Sequence, residues 1–422
     1  MAHLHVFGAG WAGLAAAVAA VRAGHRVTLV EATDRPGGRA RTLPHAVEGL
    51  ALDNGQHIWI GAYARCLALL ETVGLHADAL FERIPLDLRD PQGLGLVLAP
   101  GPEPLNLLLG LWRSRGLDAA SRRALLRVGL KLRWHGPHWP HAQDESVALW
   151  CVREQLPASL IRSWVEPLCL SALNTPLAQA SARVWWRVLH DALWLVRGGS
   201  DLCLPRADLN ALGPDAAIAW LRARGVEWRS RTRLTSLAAS ASGFPAPSAQ
   251  TPWVLALPPR EAARLTAPHH PTWSGLASAL EYEAIATVYV RCHDPGYRGL
   301  PRSMMALHSH AQSPAQFVFC RERLLGQTGV LAAVVSACQT ERDALSEGVL
   351  RQLRDQLGLP QLTVLSCVVE RRATFACSVG LRRPPAAIAP HLWAAGDYVE
   401  GPYPATLEGA VRSAEQVIAE LA

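Results

Sequence analysis

The segment Leu4–Thr42 reads LHVFGAGWAGLAAAVAAVRAGHRVTLVEATDRPGGRART and decides the fold of the chain. Its apolar run Leu4–Phe7 is typical of a buried parallel strand, and Trp11–Ala23 is rich in residues that favour helices. A turn then leads into a second apolar run, Arg26–Val30, which ends at Glu31. Strand, helix, strand and acid in this order predict the first βαβ unit of a parallel sheet.

The glycines between the first strand and the helix have the spacing of a dinucleotide site. Gly8 suits the tight turn, Gly10 allows a pyrophosphate to approach the backbone, and Gly13 allows the helix to pack on the strand. Glu31 follows Gly13 at close to the roughly 20 residues typical of a ribose-binding acid. The free amides at the helix start favour an anion, so we expect cofactor contacts also from Trp11 and Ala12.

A second glycine turn, Arg35–Thr42, follows Glu31 and has no role in a plain nicotinamide domain. Together with Glu31 it resembles the flavin-binding signature of the amine oxidase and phytoene desaturase superfamily. The resemblance implies FAD, and it is expected to be non-covalent because no cysteine follows Cys377. Further cofactor contacts implied in this region are Ala32, Gly37, Gly38, Arg39, Ala40 and Arg41.

The segment Ala51–Tyr63, ALDNGQHIWIGAY, has a polar centre too dense for a simple hairpin. It resembles the corresponding segment of the hydroxysqualene dehydroxylases of bacterial hopanoid pathways, which runs past the flavin ring. The implied contacts are Asn54, Gly55, Gln56 and His57. We predict His57 as the proton donor because the reference pKa of histidine suits donation near neutral pH; the alternative is that His57 only hydrogen-bonds backbone.

The C-terminal segment Leu392–Ala419 predicts an apolar strand that ends at Gly396 and Asp397, followed by a loop and a helix from Thr406. Asp397 can accept a hydrogen bond from a ribityl hydroxyl, and the amide near Leu407 can face the flavin pyrimidine. By resemblance, Leu234 contacts the adenine through its backbone.

These motifs predict an α/β protein with a Rossmann-like FAD-binding domain and an interleaved α+β substrate domain, as in amine oxidases. The cofactor domain is expected from three segments, 1–79, 198–268 and 385–422. Segment 80–197 is expected to be helical, and segment 269–384 to form a sheet. Within these segments, Leu202–Pro205 is predicted as a loop and Arg233–Leu237 as a strand.

The formal net charge of +6 comes from forty arginines and a single lysine, Lys131, a bias that fits base composition better than nucleic-acid binding. No nucleic-acid motif accompanies the charge. The nine cysteines have no metal-ligand spacing, so we expect no metal, and reduced thiols fit a cytoplasmic protein. No apolar window suits a membrane-spanning helix, and the first strand leaves no room for a cleaved signal.

The predicted helical segment is rich in leucine and tryptophan, which favours an apolar substrate. Residues 105–134 combine this character with many arginines, which fits either a peripheral contact at the inner face of the cytoplasmic membrane or a solvated basic face. Amine oxidation is disfavoured because the predicted substrate sheet contains no lysine.

The family resemblance implies reductive dehydroxylation of a C30 isoprenoid, hydroxysqualene, to squalene, by hydride transfer from the reduced flavin N5 to an allylic cation. The sequence does not specify the electron donor that reduces the flavin. The alternative is an FAD-dependent desaturase or oxidase of phytoene, a porphyrinogen or an amine.

Overall fold

A computed structural model describes residues 1–99, 101, 105–238 and 242–421. The strands are β1 His3–Phe7, β2 Arg26–Val30, β3 Trp59–Ile60, β4 Phe81–Ile84, β5 Leu202–Pro205, β6 Glu227–Arg229, β7 Trp253–Leu255, β8 Tyr282–Cys292, β9 Met304–Ala306, β10 Phe317–Cys320, β11 Val330–Val335, β12 Leu362–Phe375, β13 Ala387–Ala389 and β14 Leu392–Ala394.

The α-helices are Trp11–Arg22, Ala64–Thr72, Ala77–Leu80, Leu105–Arg113, Ala119–His135, Val147–Arg153, Ala158–Leu160, Glu166–Leu173, Ala182–His190, Pro214–Arg222, Pro259–Thr266, Pro271–Ser278, Arg321–Leu325, Arg342–Leu357 and Leu407–Leu421. Two π-helical turns lie at Ile161–Val165 and Asp191–Leu195.

A six-stranded sheet in the order β13-β14-β7-β1-β2-β6 forms the first layer. Strands β14, β7, β1, β2 and β6 are parallel, and β13 is antiparallel to β14. The helix Trp11–Arg22 packs against the helices Pro214–Arg222 and Leu407–Leu421. Its alanine-rich surface is buried with Val6, Leu29 and Val411 in one apolar cluster. The predicted α/β class and Rossmann-like organisation are confirmed.

The close contact between β1 and the first helix depends on glycine. A Cβ on Gly13 would lie 1.8 Å from the Gly8 carbonyl oxygen. A Cβ on Gly8 would lie 2.2 Å from the carbonyl oxygen of Ala256, and Gly8 has a φ of +101°. Only glycine meets both requirements at this crossing.

The second large sheet, in the order β12-β8-β11-β10-β9, is antiparallel, and the helix Arg342–Leu357 packs on it. A small sheet has the order β3-β5-β4. The prediction of Leu202–Pro205 as a loop was wrong, because this segment is a strand that pairs with both Trp59–Ile60 and Phe81–Ile84. A second correction is that Arg233–Leu237 forms no strand.

Side-chain caps define the starts of the helices Ala119–His135 and Ala182–His190. Asp118 accepts a hydrogen bond from the Ser121 amide at 2.7 Å, and Ser181 accepts one from the Val184 amide at 3.1 Å. Such caps satisfy amides that the helix leaves unpaired. In the described part of the chain, no helix has the length and apolarity needed to cross a membrane.

A buried ion pair joins the parallel sheet region to the antiparallel sheet. Arg321 Nη1 lies 3.3 Å from Asp53 Oδ2, and both side chains are almost wholly buried. Asp53 Oδ1 also accepts hydrogen bonds from the Leu209 amide at 2.9 Å and the Thr42 hydroxyl at 3.1 Å. Arg321 Nη2 donates to the Ala51 carbonyl at 3.1 Å. These contacts fix the Ala51–Tyr63 segment against the antiparallel sheet.

We predict that Arg321→Met lowers the free energy of unfolding by about 3–5 kcal/mol, because it leaves the Asp53 carboxylate buried without its cation. Urea denaturation followed by circular dichroism measures the change. Arg323→Met is the matched control, because Arg323 is exposed on the same helix and such surface changes stay within about 0.5 kcal/mol. Equal stability of the two variants would contradict the structural role of the pair.

Candidate active site

A cavity of about 530 Å³ lies at the carboxyl ends of β1, β2, β7 and β14. In parallel sheets this edge is where ligands bind, because the strand ends and helix N-termini meet there. Every predicted cofactor contact except Gly13 lines this cavity. The structure therefore brings together residues that are far apart in sequence, from Gly8 to Leu407.

The two glycine turns stack directly on each other at the floor of the cavity. The Gly37 amide donates to the Ala9 carbonyl at 2.8 Å. A Cβ on Gly38 would lie 3.1 Å from Gly10 Cα, whereas one on Gly10 would meet nothing closer than Gly38 Cα at 3.7 Å. Gly10 thus presents bare backbone to open space at the helix start, as a bound pyrophosphate requires.

Glu31 lies at the end of β2, beside the first glycine turn. Its Oε2 accepts a hydrogen bond from the Ala9 amide, and its Oε1 accepts one from the Thr33 amide, both at 2.8 Å. Ala32 and Leu234 line the same cavity. The carboxylate is therefore held in place at the cavity wall, where a ribose hydroxyl could donate to its remaining lone pairs.

Arg39 connects the second glycine turn to the C-terminal segment and to β12. Its Nη2 lies 2.6 Å from Asp397 Oδ1, and its Nη1 donates to the Ala373 carbonyl at 2.8 Å. The Arg39 carbonyl in turn accepts a hydrogen bond from Asn54 Nδ2 at 2.9 Å. The cavity wall is thus continuous from the first segment of the chain to the last.

His57 lines the cofactor cavity, but its environment differs from the one assumed in the prediction. Burial, together with the Arg39 charge, lowers the pKa of His57 to about 4. At neutral pH the ring is therefore uncharged. The prediction of His57 as proton donor rested on the reference pKa of histidine, and that reason does not hold in this environment. A neutral imidazole can still donate a hydrogen bond from its single N–H.

The polar residues Asn174, Glu370 and Thr374 are among the residues of the cavity wall that the sequence did not predict. Asn174 Nδ2 donates to the Thr374 hydroxyl at 2.9 Å, and Asn174 Oδ1 accepts from the Ala337 amide at 2.6 Å. Glu370 Oε2 accepts from Asn54 Nδ2 at 3.1 Å. The turn-forming Asn-Thr-Pro sequence that begins at Asn174 marks a break in the helices. The neighbouring sequence does not indicate that Asn174 contacts Thr374 and Ala337, which are distant in the chain.

A second cavity, of about 260 Å³, adjoins the first and is almost entirely apolar. Residues between Leu105 and Leu195 form most of its lining, and leucine is the commonest type among them. The two cavities share the wall residues Ile58, Tyr63, Ser171, Ala172, Phe317 and Thr406. An elongated apolar molecule in the second cavity would therefore reach the cofactor cavity.

Lys131 is not available for chemistry at the cofactor cavity. Its Nζ lies 2.9 Å from Oε2 of the buried Glu154, so the pair is a fixed element of the helical segment. Within the described residues, no group of His, Cys, Asp or Glu side chains is arranged to hold a metal ion. All nine cysteines are free thiols.

Comparisons with known proteins place this arrangement in a family. The family model of flavin-containing amine oxidoreductases matches residues 11–421. The chain is 30% identical to the hydroxysqualene dehydroxylase of Rhodopseudomonas palustris, with 97% of this chain and 96% of that protein covered. It is 27% identical to the hydroxysqualene dehydroxylase of Zymomonas mobilis, with 100% and 99% covered.

The fold is also that of solved amine oxidases. Cyclohexylamine oxidase from Brevibacterium oxydans superposes with a TM-score of 0.67 at 17% identity, covering 100% of this chain and 98% of that one. At this identity the likeness concerns the fold alone. The full-length sequence matches add the finer assignment: the chain belongs to the flavin-containing amine oxidoreductases and, within them, to the hydroxysqualene dehydroxylase family of flavin-dependent oxidoreductases.

Proposed function

We propose that the protein reductively removes the hydroxyl group of hydroxysqualene to give squalene, as a step of squalene and hopanoid biosynthesis. The observation that carries this proposal is the apolar cavity that adjoins the flavin cavity and shares its wall. A C30 isoprenoid is long and apolar, with a single polar group, and this cavity offers almost no polar partners. The relatives named hydroxysqualene dehydroxylase support the same substrate class.

The cofactor is proposed to be non-covalent FAD, which when reduced supplies the hydride. The two glycine turns and the start of the helix at Trp11 would hold the pyrophosphate, and Glu31 the ribose. Leu234 would contact the adenine, Asp397 the ribityl chain and Leu407 the pyrimidine. Cys377 is buried, and burial raises the pKa of its thiol to about 12, so it is protonated and unreactive at neutral pH.

The chain itself orients the substrate and excludes water. The leucine and tryptophan side chains of the second cavity remove hydration from the reacting carbon, which protects a cationic centre from capture by water. His57, uncharged at neutral pH, would contribute a hydrogen bond at the wall of the flavin cavity rather than a charge. The proton for the leaving oxygen must then come from another group.

The activity is tested with anaerobic, dithionite-reduced protein and hydroxysqualene. We expect squalene as the product, identified by gas chromatography and mass spectrometry. Protein in the oxidised state is the control, and it should form no squalene because it has no hydride to give. Intact reduced protein that leaves hydroxysqualene unchanged, or oxidised protein that is bleached by phytoene, a porphyrinogen or an amine, would contradict the proposal.

For the cofactor site, Gly10→Val is expected to abolish FAD binding while the fold is retained. The added side chain enters open space beside Gly38, so it displaces the pyrophosphate and not the backbone. The ratio of absorbance at 450 and 280 nm measures flavin content, and circular dichroism measures folding.

In wild-type protein, acid precipitation should release the flavin into the supernatant, where chromatography identifies it as FAD. FMN in the supernatant, or flavin retained in the precipitate, would contradict non-covalent FAD. A Gly10→Val protein with full flavin content would contradict the proposed pyrophosphate position.

We further propose that the helices Leu105–Arg113 and Ala119–His135 contact the cytoplasmic face of a membrane. Their inner side chains, such as Leu111 and Leu132, line the apolar cavity. Their outer side chains include apolar groups that are unusually exposed to solvent. The exposed fraction is 77% for Trp112 and 87% for Trp134. Exposed arginines surround them at positions 113, 115, 123, 127 and 133. Apolar insertion with cations at the headgroups suits an anionic bilayer, from which the substrate would enter.

The double variant Trp112→Ser, Trp134→Ser is expected to bind anionic phosphatidylglycerol vesicles at least tenfold more weakly, because the inserted area is lost. Vesicle sedimentation measures the partition. Trp220→Ser is the matched control, because Trp220 lies on the helix Pro214–Arg222 in the parallel-sheet layer. Equal binding of the double variant and the control would contradict the membrane contact.

A further inference from the structure

A buried acid lies in the wall of the apolar cavity. Asp191 begins the π-helical turn Asp191–Leu195, and its side chain is 1% exposed. Arg187 Nε lies 2.5 Å from Asp191 Oδ2, and His190 Nδ1 lies 2.9 Å from Asp191 Oδ1. A carboxylate offers about four lone-pair positions, so these two partners leave acceptor capacity free. Asp191 is the acidic residue that lines this otherwise apolar cavity.

Tyr403 lines the same cavity and faces Asp191. Its hydroxyl is buried and makes no hydrogen bond of regular geometry. Burial and the neighbouring Asp191 carboxylate raise the pKa of the phenol, so it is protonated at neutral pH. The hydroxyl therefore faces the Asp191 carboxylate inside an apolar cavity, where a ligand oxygen could take the place of this contact.

The backbone holds Tyr403 in a strained position beside the cofactor cavity. Tyr403 has a φ of +61°, which is unusual for a residue with a side chain. Its carbonyl accepts a hydrogen bond from the Thr406 hydroxyl at 2.8 Å, and Thr406 lines both cavities. Gly409 is required here, because a Cβ would lie 2.1 Å from the Tyr403 carbonyl oxygen. Tyr403 thus lies next to Thr406 in the wall that the two cavities share.

Two arginines partly offset the effect of burial and of the Asp191 carboxylate on the pKa of the Tyr403 phenol. The guanidinium carbons of Arg187 and Arg412 lie 5.7 and 4.9 Å from the centre of its ring. Arg412 Nε lies 2.7 Å from Glu408 Oε1, and Arg187 forms the ion pair with Asp191 described above. Two fixed cations therefore flank the phenol.

We propose that Tyr403 and Asp191 form the site that recognises the hydroxyl group of the isoprenoid substrate. Tyr403 donates the proton that allows this hydroxyl group to leave as water. This inference rests on the proposed dehydroxylation. An alcohol can both donate and accept a hydrogen bond. Its oxygen accepts a hydrogen bond from the Tyr403 hydroxyl, and its O–H donates one to the Asp191 carboxylate. Asp191 is a positioning residue, and Tyr403 contacts the reacting oxygen.

In the step itself, the substrate C–O bond breaks and its electron pair leaves with the oxygen. The Tyr403 proton passes to that oxygen, and water departs. The carbon is then reduced by the hydride that reduced flavin supplies, and the tyrosinate between Arg187 and Arg412 regains a proton from water. The product has no hydroxyl, so it leaves the pair unpartnered, which favours release of squalene over the substrate.

The experiment compares binding of hydroxysqualene and squalene to the oxidised holoenzyme, using the flavin visible spectrum in detergent micelles. Wild type is expected to bind hydroxysqualene roughly tenfold or more tightly than squalene, the effect of hydrogen bonds in a dry site. In Tyr403→Phe this preference should disappear through weaker hydroxysqualene binding, with squalene binding unchanged. Circular dichroism should show that Tyr403→Phe keeps the wild-type fold, so that weaker binding of hydroxysqualene is not the result of unfolding.

Turnover by the reduced holoenzyme gives the second readout. Tyr403→Phe is expected to lower the rate roughly 100-fold or more, the usual contribution of a general acid. Tyr297→Phe is the control, because Tyr297 is a tyrosine partly buried outside both cavities. Asp191→Asn should reduce the preference for hydroxysqualene without changing the affinity for squalene, which a purely structural role would not produce.

The outcomes separate this inference from the proposed function. Wild type that converts hydroxysqualene, with Tyr403→Phe equal to it in rate and in binding preference, would overturn the role of Tyr403 and leave the function standing. Wild type that neither binds nor converts hydroxysqualene would contradict the proposed function, and the inference would fail with it.

Discussion

The Arg39 guanidinium is the interaction on which the shape of the cofactor cavity depends. It joins the second glycine turn to Asp397 in the C-terminal segment and to the Ala373 carbonyl of β12. Because guanidinium is planar and always charged, it can hold two partners in fixed directions without changing its protonation. The same charge, together with burial, lowers the pKa of His57. One side chain therefore sets both the geometry and the electrostatics of this wall.

The two cavities have linings that suit different ligands. The flavin cavity is built from glycines, backbone amides and a few charged groups, which suit phosphates and ribose. The second cavity is lined by leucine and tryptophan, which suit an isoprenoid. The polar side chains of Tyr63, Ser171 and Thr406 lie in the wall that the two cavities share, so a long apolar molecule with one hydroxyl would find polar partners near the cofactor cavity.

The sequence predicted the parts of the fold whose cause is local. Arg26–Val30 was predicted with the bounds that the structure has, and the helix predicted at Trp11–Ala23 ends one residue earlier, because apolar spacing and turn residues define both. Leu202–Pro205 was misread as a loop, since its pairing partners Trp59–Ile60 and Phe81–Ile84 lie far away in the chain. The cofactor contacts were named from short motifs. Asp191 and Tyr403 were not, because neither belongs to a motif and only the fold brings them together.

The order of the six-stranded sheet has a consequence for how the chain is made. The helix Trp11–Arg22 is covered by the helix Leu407–Leu421, and β1 lies between β2 and the late strand β7. At a synthesis rate of about 5–20 residues per second, the ribosome needs on the order of 20–80 s to make the whole chain. During that time the helix Pro214–Arg222 covers only one part of the first helix, and the rest of its alanine-rich face waits for Leu407–Leu421. The first βαβ unit therefore cannot complete its packing until residues from the other end of the sequence have been made.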